Sequence, residues 1–417
     1  MDRVTPMSQT RFFRGWLVVA GAFAVTCFGF GSAYTFGVFL APLQAQFGAS
    51  RGSVSLVFSL AAFLYFGLGS VSGPLADRWG ARRFAVAGMI LTGLGLAAAA
   101  FARTLAQVYG AYGVGVGLGI GLSYVPALGA VQRWFTRRRG FASGIAVSGI
   151  GVGTLVMPPL AGLLIDHIGW RHAYLALGAT VALLGGGLAL LVESDPGARG
   201  LAPDGAAQET MEAARPLGME TREAVRTPLF AGLYLACLVC SFGVFVPFVD
   251  LVPYARVHGV TQADAVLLLG MIGIGSTAGR FVLGGVADRF GRHRALLMMF
   301  VGMAVALGIW ALATRFASLI AFALLFGLFY GGWVAILPSV VMDCFGGRAV
   351  SGIIGLLYTS VAFGTLIGPS ATGYVFDATH SYTVPILASA ASALAAAGIA
   401  ALALRPGAAW RAAGGPA

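Results

Sequence analysis

Long apolar runs recur along this chain, separated by short polar or basic breaks. Twelve approach or exceed the roughly 20 residues a helix needs to cross a bilayer core. Six lie at 16–40, 54–76, 84–102, 105–130, 141–165 and 172–192, and six at 229–253, 263–287, 294–313, 316–341, 350–375 and 382–404. None alternates polar and apolar residues over about 10 positions, as an outer-membrane barrel strand would. The pattern changes once. Residues 193–228 hold Glu193, Asp195, Asp204, Glu209, Glu212, Glu220 and Glu223, with Pro196 and Gly197 near the start. This stretch reads as a linker between two bundles. The expectation is an all-α membrane protein of twelve transmembrane helices: a six-helix bundle in 1–192, a linker in 193–228, and a second bundle with a short tail in 229–417.

Composition agrees with a membrane protein. The chain is 58% hydrophobic and 10% charged, with mean hydropathy +0.87, whereas soluble domains run near a quarter charged. The net charge of +11 does not point to nucleic acid, because the basic residues lie between apolar segments and not on a polar domain. All 26 are arginine. With the first residues in the cytoplasm, Arg51, Arg103, Arg171, Arg256 and Arg315 fall on the opposite face and Arg280 falls within a span. That leaves 20 of the 26 on the cytoplasmic side, a bias that places both termini in the cytoplasm of a bacterial inner membrane. The first apolar run is too long for a cleaved signal core.

Catalytic and metal-site patterns are missing from the sequence. It has no GxxxxGK[ST], GxSxG or HExxH motif, and its five histidines form no ligand cluster. Cys237 and Cys240 have CxxC spacing but sit in the apolar run YLACLVCSF, where small packing residues are the better reading. We expect neither an enzyme nor a cofactor or metal.

The chain repeats itself. GPLADRWGARR (73–83) and GGVADRFGRHR (284–294) each join a second helix to a third, 211 residues apart. Matching motifs at equivalent places of two six-span halves imply duplicated bundles with a site between them. These loops resemble the GxLaDrxGxrr motif of the major facilitator superfamily. The resemblance implies two pseudosymmetric bundles and alternating access. It also implies that Asp77 and Asp288, with Arg78 and Arg289, hold one gate state by pairing with helix ends or arginines; otherwise they are ordinary turn charges. RGWLVVAGAFAV (14–25) and RWFTRRRGFASGIAVSGIGVG (133–153) further resemble the monocarboxylate transporter and oxalate:formate antiporter branch. Two departures stand out. Tyr34 occupies the place of the lysine that eukaryotic monocarboxylate transporters carry late in helix 1, and Ser276 replaces their helix 8 aspartate while Arg280 remains. Val361 stands where the oxalate antiporter has a helix 11 lysine.

Arg280 is the sharpest candidate. It lies about 12 Å before Asp288 at about 1.5 Å per residue, flanked by apolar turns with no acid at its depth. An arginine there is costly and normally faces the bundle interior, where its planar fork fits a carboxylate. A snorkelling or structural ion-paired arginine is the alternative. Tyr124 and Tyr358, then Tyr34, Tyr65 and Tyr330, supply hydroxyl-tipped aromatic surface for a small half-apolar acid. Ser276 and Thr277 are candidate groove residues, and Phe28, Phe326 and Phe329 candidate apolar walls. Asp250 is the candidate proton carrier. The expected function is secondary transport of a small monocarboxylate such as lactate or pyruvate, coupled to protons and performed by a monomer in contact with membrane lipids. An exchanger for oxalate-like or dicarboxylate anions is one alternative, and a ligand-binding membrane sensor signalling through 193–228 is another.

Overall fold

The structure, a computed structural model, describes residues 13–135, 138–199, 201, 203–205, 218–346 and 349–404. Eleven continuous helical stretches are long and apolar enough to cross a membrane. One of them, Gly140–Ala189, is 50 residues long and bends back at Gly169, whose φ of +79° suits glycine. It therefore holds two spans, and the total among the described residues is twelve. We number them α1 (Gly15–Phe47), α2 (Arg51–Gly67 and Gly69–Trp79), α3 (Ala81–Ala100), α4 (Leu105–Trp134), α5 (139–168) and α6 (170–189). The second half continues with α7 (Pro228–Val257), α8 (Gln262–Phe290), α9 (Arg292–Leu312), α10 (Phe316–Phe345), α11 (Val350–Thr379) and α12 (Thr383–Ala403).

The duplicated motif folds alike in both halves. Gly80 and Gly291 close α2 and α8 with φ of +94° and +88°, a conformation a side chain rarely adopts. Two helices break at nearly equivalent places, α1 at Thr35 and α7 at Phe245. In α1 the Thr35 hydroxyl donates back to Gly31 O at 2.7 Å, the bond that bends helices at Ser and Thr. In α7 Pro247 follows the break and has no N–H to give the preceding turn. A π-helical stretch, Tyr109–Val116, interrupts α4 in a glycine-rich run.

The 193–228 segment marks one end of the molecule, here the linker face; the opposite end is the far face. At the linker face Glu193 bridges Arg82 at 2.8 Å and Arg199 at 2.7 Å, and the Ser194 hydroxyl accepts the Ala81 amide at 2.7 Å. The start of the linker is thus tied to the first half. Its end is tied to the second half, with Met219 N donating to Phe345 O at 2.8 Å.

The halves meet along α2 with α11, α5 with α8, and the far segments of α1 and α7. Small residues let backbones approach there, as in other membrane interfaces. A Cβ on Gly373 would lie 2.6 Å from the Gly52 Cα. Towards the linker face the halves part, leaving a cavity of about 390 Å³ between α2, α4, α10 and α11, lined by Gly73, Gln132, Arg133, Pro338, Gly355 and Tyr358 among others. The molecule is closed at the far face and open towards the linker face.

Candidate functional site

Helix phase decides what faces the centre. In α8, Ser276 and Arg280 are one turn apart on one face, and Gly273 and Thr277 pack against Gly151 of α5. Arg280 is 5% exposed. One guanidinium nitrogen, Nη1, donates to the Ser276 Oγ at 2.9 Å and to the Ser276 carbonyl at 3.3 Å. Nε and Nη2 are buried and have no hydrogen-bond partner among the described residues. No described ion pair involves Arg280. An arginine kept from water with two donor groups unused is a costly arrangement.

Four tyrosines from four helices lie within electrostatic reach of that guanidinium: Tyr330, Tyr124, Tyr34 and Tyr358. Tyr34 and Tyr330 hydrogen-bond to each other at 2.7 Å, joining α1 of one half to α10 of the other. Tyr34 also stacks on Phe248 at 4.2 Å. Tyr124 packs edge-on against Phe30 at 4.9 Å, and Phe30 meets Tyr65 at 5.3 Å. Tyr34, Tyr124, Tyr330, Tyr358 and Phe30 line a chamber of about 20 Å³, with Phe66, Phe245, Trp333 and Val361 also on its wall and Tyr65 and Phe248 packed behind it. That is room for about one water. Tyr124 and Tyr358 line both this chamber and the 390 Å³ cavity, so they stand at the threshold between them.

The remaining sequence candidates are placed differently. The Thr277 hydroxyl donates to Gly273 O at 3.0 Å within its own helix, at the α5 seam and away from the chamber. Phe28 packs towards Gly185 of α6; Phe30 and Tyr34, one turn apart, take the inward face. Phe326 is buried one turn from Tyr330 and stacks with it at 6.2 Å, while Phe329 packs over Gly302 of α9. Arg78 and Arg289 are exposed at the linker face. The side chains of Asp77 and Asp288 lie outside the described residues. Asp250 is fully buried in the far segment of α7, two residues past Phe248, and lines neither the chamber nor the cavity.

Phe30, Phe66, Phe245, Phe248 and Trp333 are site residues that the sequence reading passed over. Of these only Phe30 carries a signal in the sequence, its i, i+4 spacing to Tyr34. The apolar pattern starts the second span at 54 and leaves Arg51 outside it, on the face opposite the termini. In the structure the helix begins three residues earlier, so Arg51 lies in the first turn of α2 at that end, with its guanidinium 4.1 Å from the Phe376 ring centre.

The Tyr34–Tyr330 bond crosses between the halves, so its loss is measurable as a shift in closure. Tyr330→Phe leaves the Tyr34 hydroxyl without that partner and should weaken far-face closure by about 1 kcal/mol, about fivefold in the closed-to-open ratio. Distances between spin labels on the far ends of the two halves would read it.

The family model of the Major Facilitator Superfamily matches residues 21–314 and 233–417. Monocarboxylate transporter 11 of Mus musculus is 32% identical over 386 residues, covering 89% of this chain and 83% of its own. Monocarboxylate transporter 12 of Rattus norvegicus is 30% identical over 400 residues, covering 89% and 82%. Among solved structures, a bacterial homologue of the human lysosomal transporter Spinster, inward-facing and unoccupied, superposes with a TM-score of 0.72 at 18% identity. That superposition covers 98% of this chain and all of the other.

Proposed function

The chain belongs to the major facilitator superfamily, in its monocarboxylate-transporter branch, and we propose that this membrane transporter carries a small monocarboxylate by alternating access, coupled to protons. The observation that carries the proposal is the Arg280 guanidinium, buried at the centre with Nε and Nη2 unused. A carboxylate is the natural ligand for those two donors, since it accepts both at once. The tyrosine hydroxyls around it supply further donors, and Phe30, Phe66 and Phe245 supply apolar surface for a short carbon chain.

One cation suits one carboxylate. A dicarboxylate would bring a second charge into the same low-dielectric space, where an unpaired charge costs several kcal/mol. Val361 on the chamber wall offers it nothing. The acid enters from the 390 Å³ cavity, meets Tyr124 and Tyr358, and reaches Arg280 as the aromatic side chains move aside. Residues 1–192 and 229–417 then rock about the site, with 193–228 as the tether. The excess of arginine on the linker face supports a cytoplasmic linker and cytoplasmic termini in a bacterial inner membrane. The pathway lies within one chain, so a monomer suffices.

Proton coupling follows from energetics. An interior-negative potential repels an anion, and a co-transported proton cancels that charge. The test is uptake into proteoliposomes from a panel of labelled carboxylates, with and without an inward proton gradient. We expect lactate- or pyruvate-sized acids to accumulate only with the gradient and to lose accumulation on adding a protonophore. Uptake that ignores the gradient and requires internal anion would make the protein an exchanger. Binding without any flux would make it a sensor.

A further inference from the structure

The far face holds a second buried charged group, distinct from the Arg280 site. Asp377, near the end of α11, accepts the Arg51 amide at 3.0 Å and the Gly52 amide at 2.8 Å with its two carboxylate oxygens. It thereby caps the N-terminus of α2, where a negative charge is favoured, and ties the halves together. The Arg51 guanidinium lies over the rings of Phe376 and Tyr382, at 4.1 and 5.2 Å. Its Nε and Nη1 are buried with no hydrogen-bond partner among the described residues. Asp250 of α7 lies close enough for its charge to act on both Arg51 and Asp377. It is 0% exposed, and neither of its oxygens has a described partner.

The other elements packed on this part of α7 offer Asp250 no further charge. The far segment of α1, Phe36–Phe47, has no ionisable side chain. At the start of α8, Asp264 accepts the Thr261 hydroxyl at 2.8 Å. Within α7, Arg256 donates to Val260 O, and the His258 ring is 2.9 Å from Tyr254 O. The local balance is therefore one guanidinium against two carboxyls. Asp377 has its ligands and Arg51 offsets one negative charge, so Asp250 is the surplus acid. An ionised carboxylate sealed from water without hydrogen bonds costs several kcal/mol, and a neutral one costs less.

We infer that Asp250 binds one proton as the far face closes and gives it up when that face opens. The inference rests on the carrier reading above and assigns its proton-linked step to a residue. Closure brings α1 and α2 of the first half onto α7 and α11 of the second and shuts water away from Asp250; parting the halves breaks the Asp377 cap and lets water return. The closed form holds one proton more than the open form, so acid on that side favours closure. The closed-to-open ratio rises by up to tenfold for each unit fall in pH across the window where the two forms differ in protonation. Arg51 and Asp377 are the latch, and the proton on Asp250 allows it to shut.

The test needs no substrate. Spin labels on Gln46→Cys at the far end of α1 and Thr383→Cys at the start of α12 report the distance between halves, in protein lacking the four native cysteines and held in lipid nanodiscs across a pH series. The parent should shift towards the short distance as pH falls. Asp250→Asn should be predominantly closed with no pH dependence. Asp250→Ser, smaller and likewise without a carboxyl, should read the same and serves if the asparagine variant folds poorly. Asp377→Asn removes the cap and one of the two carboxyls that share Arg51, so it should shift towards the open form at low pH with a slope no steeper than the parent's. A flat parent, an undiminished slope in either Asp250 variant, or a steeper slope in Asp377→Asn would overturn the inference. Because no carboxylate is added, failure of the carrier assay leaves this result readable, and failure here leaves the Arg280 site untouched.

Discussion

Arg280→Ala should abolish carboxylate transport while leaving the protein as stable as its parent or more so. The two halves of this expectation come from the same geometry. Nη1 is held by Ser276, whereas Nε and Nη2 are buried and have no described partner. In the empty carrier the residue therefore incurs desolvation cost that few bonds offset. Removing an unpaired buried charge relieves that cost, and the lost bond to Ser276 is worth only about 1 kcal/mol. When a carboxylate is bound, two charged hydrogen bonds at about 1.5–3 kcal/mol each disappear with the side chain. Affinity should fall at least a hundredfold. Arg280→Lys keeps a charge but loses the planar fork, so it should bind weakly and carry poorly. An arginine serving structure alone predicts the opposite: poor yield, a lowered melting temperature, and activity in whatever folds. Thermal-shift measurements on parent and variant, with and without a monocarboxylate, separate the two. The parent should gain stability from ligand and the Ala variant should gain none. Parental affinity in a well-folded Ala variant would remove Arg280 from the site.

Why Arg280 could be found in the sequence while its surroundings could not is a matter of range. A charged residue inside an apolar run is visible in one dimension, because the cost of burying it does not depend on which helix lies opposite. The twelve spans were legible for the same reason, and the 211-residue repeat made the bundle architecture legible as well. The chamber wall was not. Phe28 and Phe30 look alike in an apolar run, and only the packing of α1 against α4 and α6 decides that Phe30 turns inward and Phe28 does not. Thr277 sits beside Ser276 in sequence, yet a rotation of about 100° per residue sends it to the α5 seam. The helix breaks at Thr35 and Phe245 left almost no trace, since a threonine or a nearby proline in a membrane helix is common without a break. Least legible was the Arg51–Asp377 tie, whose partners are separated by 326 positions. Each looked like an ordinary charge at the end of a span.

Gly273→Leu should leave carboxylate binding intact and stop turnover. Gly273 of α8 faces α5 across the line between the halves. A Cβ there would lie 2.5 Å from the Gly151 carbonyl oxygen and 2.6 Å from the Leu155 nitrogen. Both are backbone atoms inside a helix, so no rotamer change relieves the contact. The clash falls between the two bundles and not within either, so each half can fold. Their remaining freedom is to separate α5 from α8, which parts the far face and opposes the closed arrangement described here. The variant should rest open at the far face, bind substrate from that side, and fail to complete the cycle. Arg280 lies nearly two turns along α8, about 10 Å away at about 1.5 Å per residue, so its guanidinium and tyrosine partners are not touched directly. We expect ligand-induced thermal stabilisation near the parental value, uptake below about a tenth of parental for a closure penalty of about 1.4 kcal/mol or more, and a longer Gln46–Thr383 label distance. The paired control is Gly398→Leu in α12, where a Cβ meets nothing within 4 Å and transport should be unchanged. Parental uptake in Gly273→Leu would show that the α5–α8 contact does not have to re-form during the cycle, and loss of binding together with uptake would show that this seam shapes the site itself.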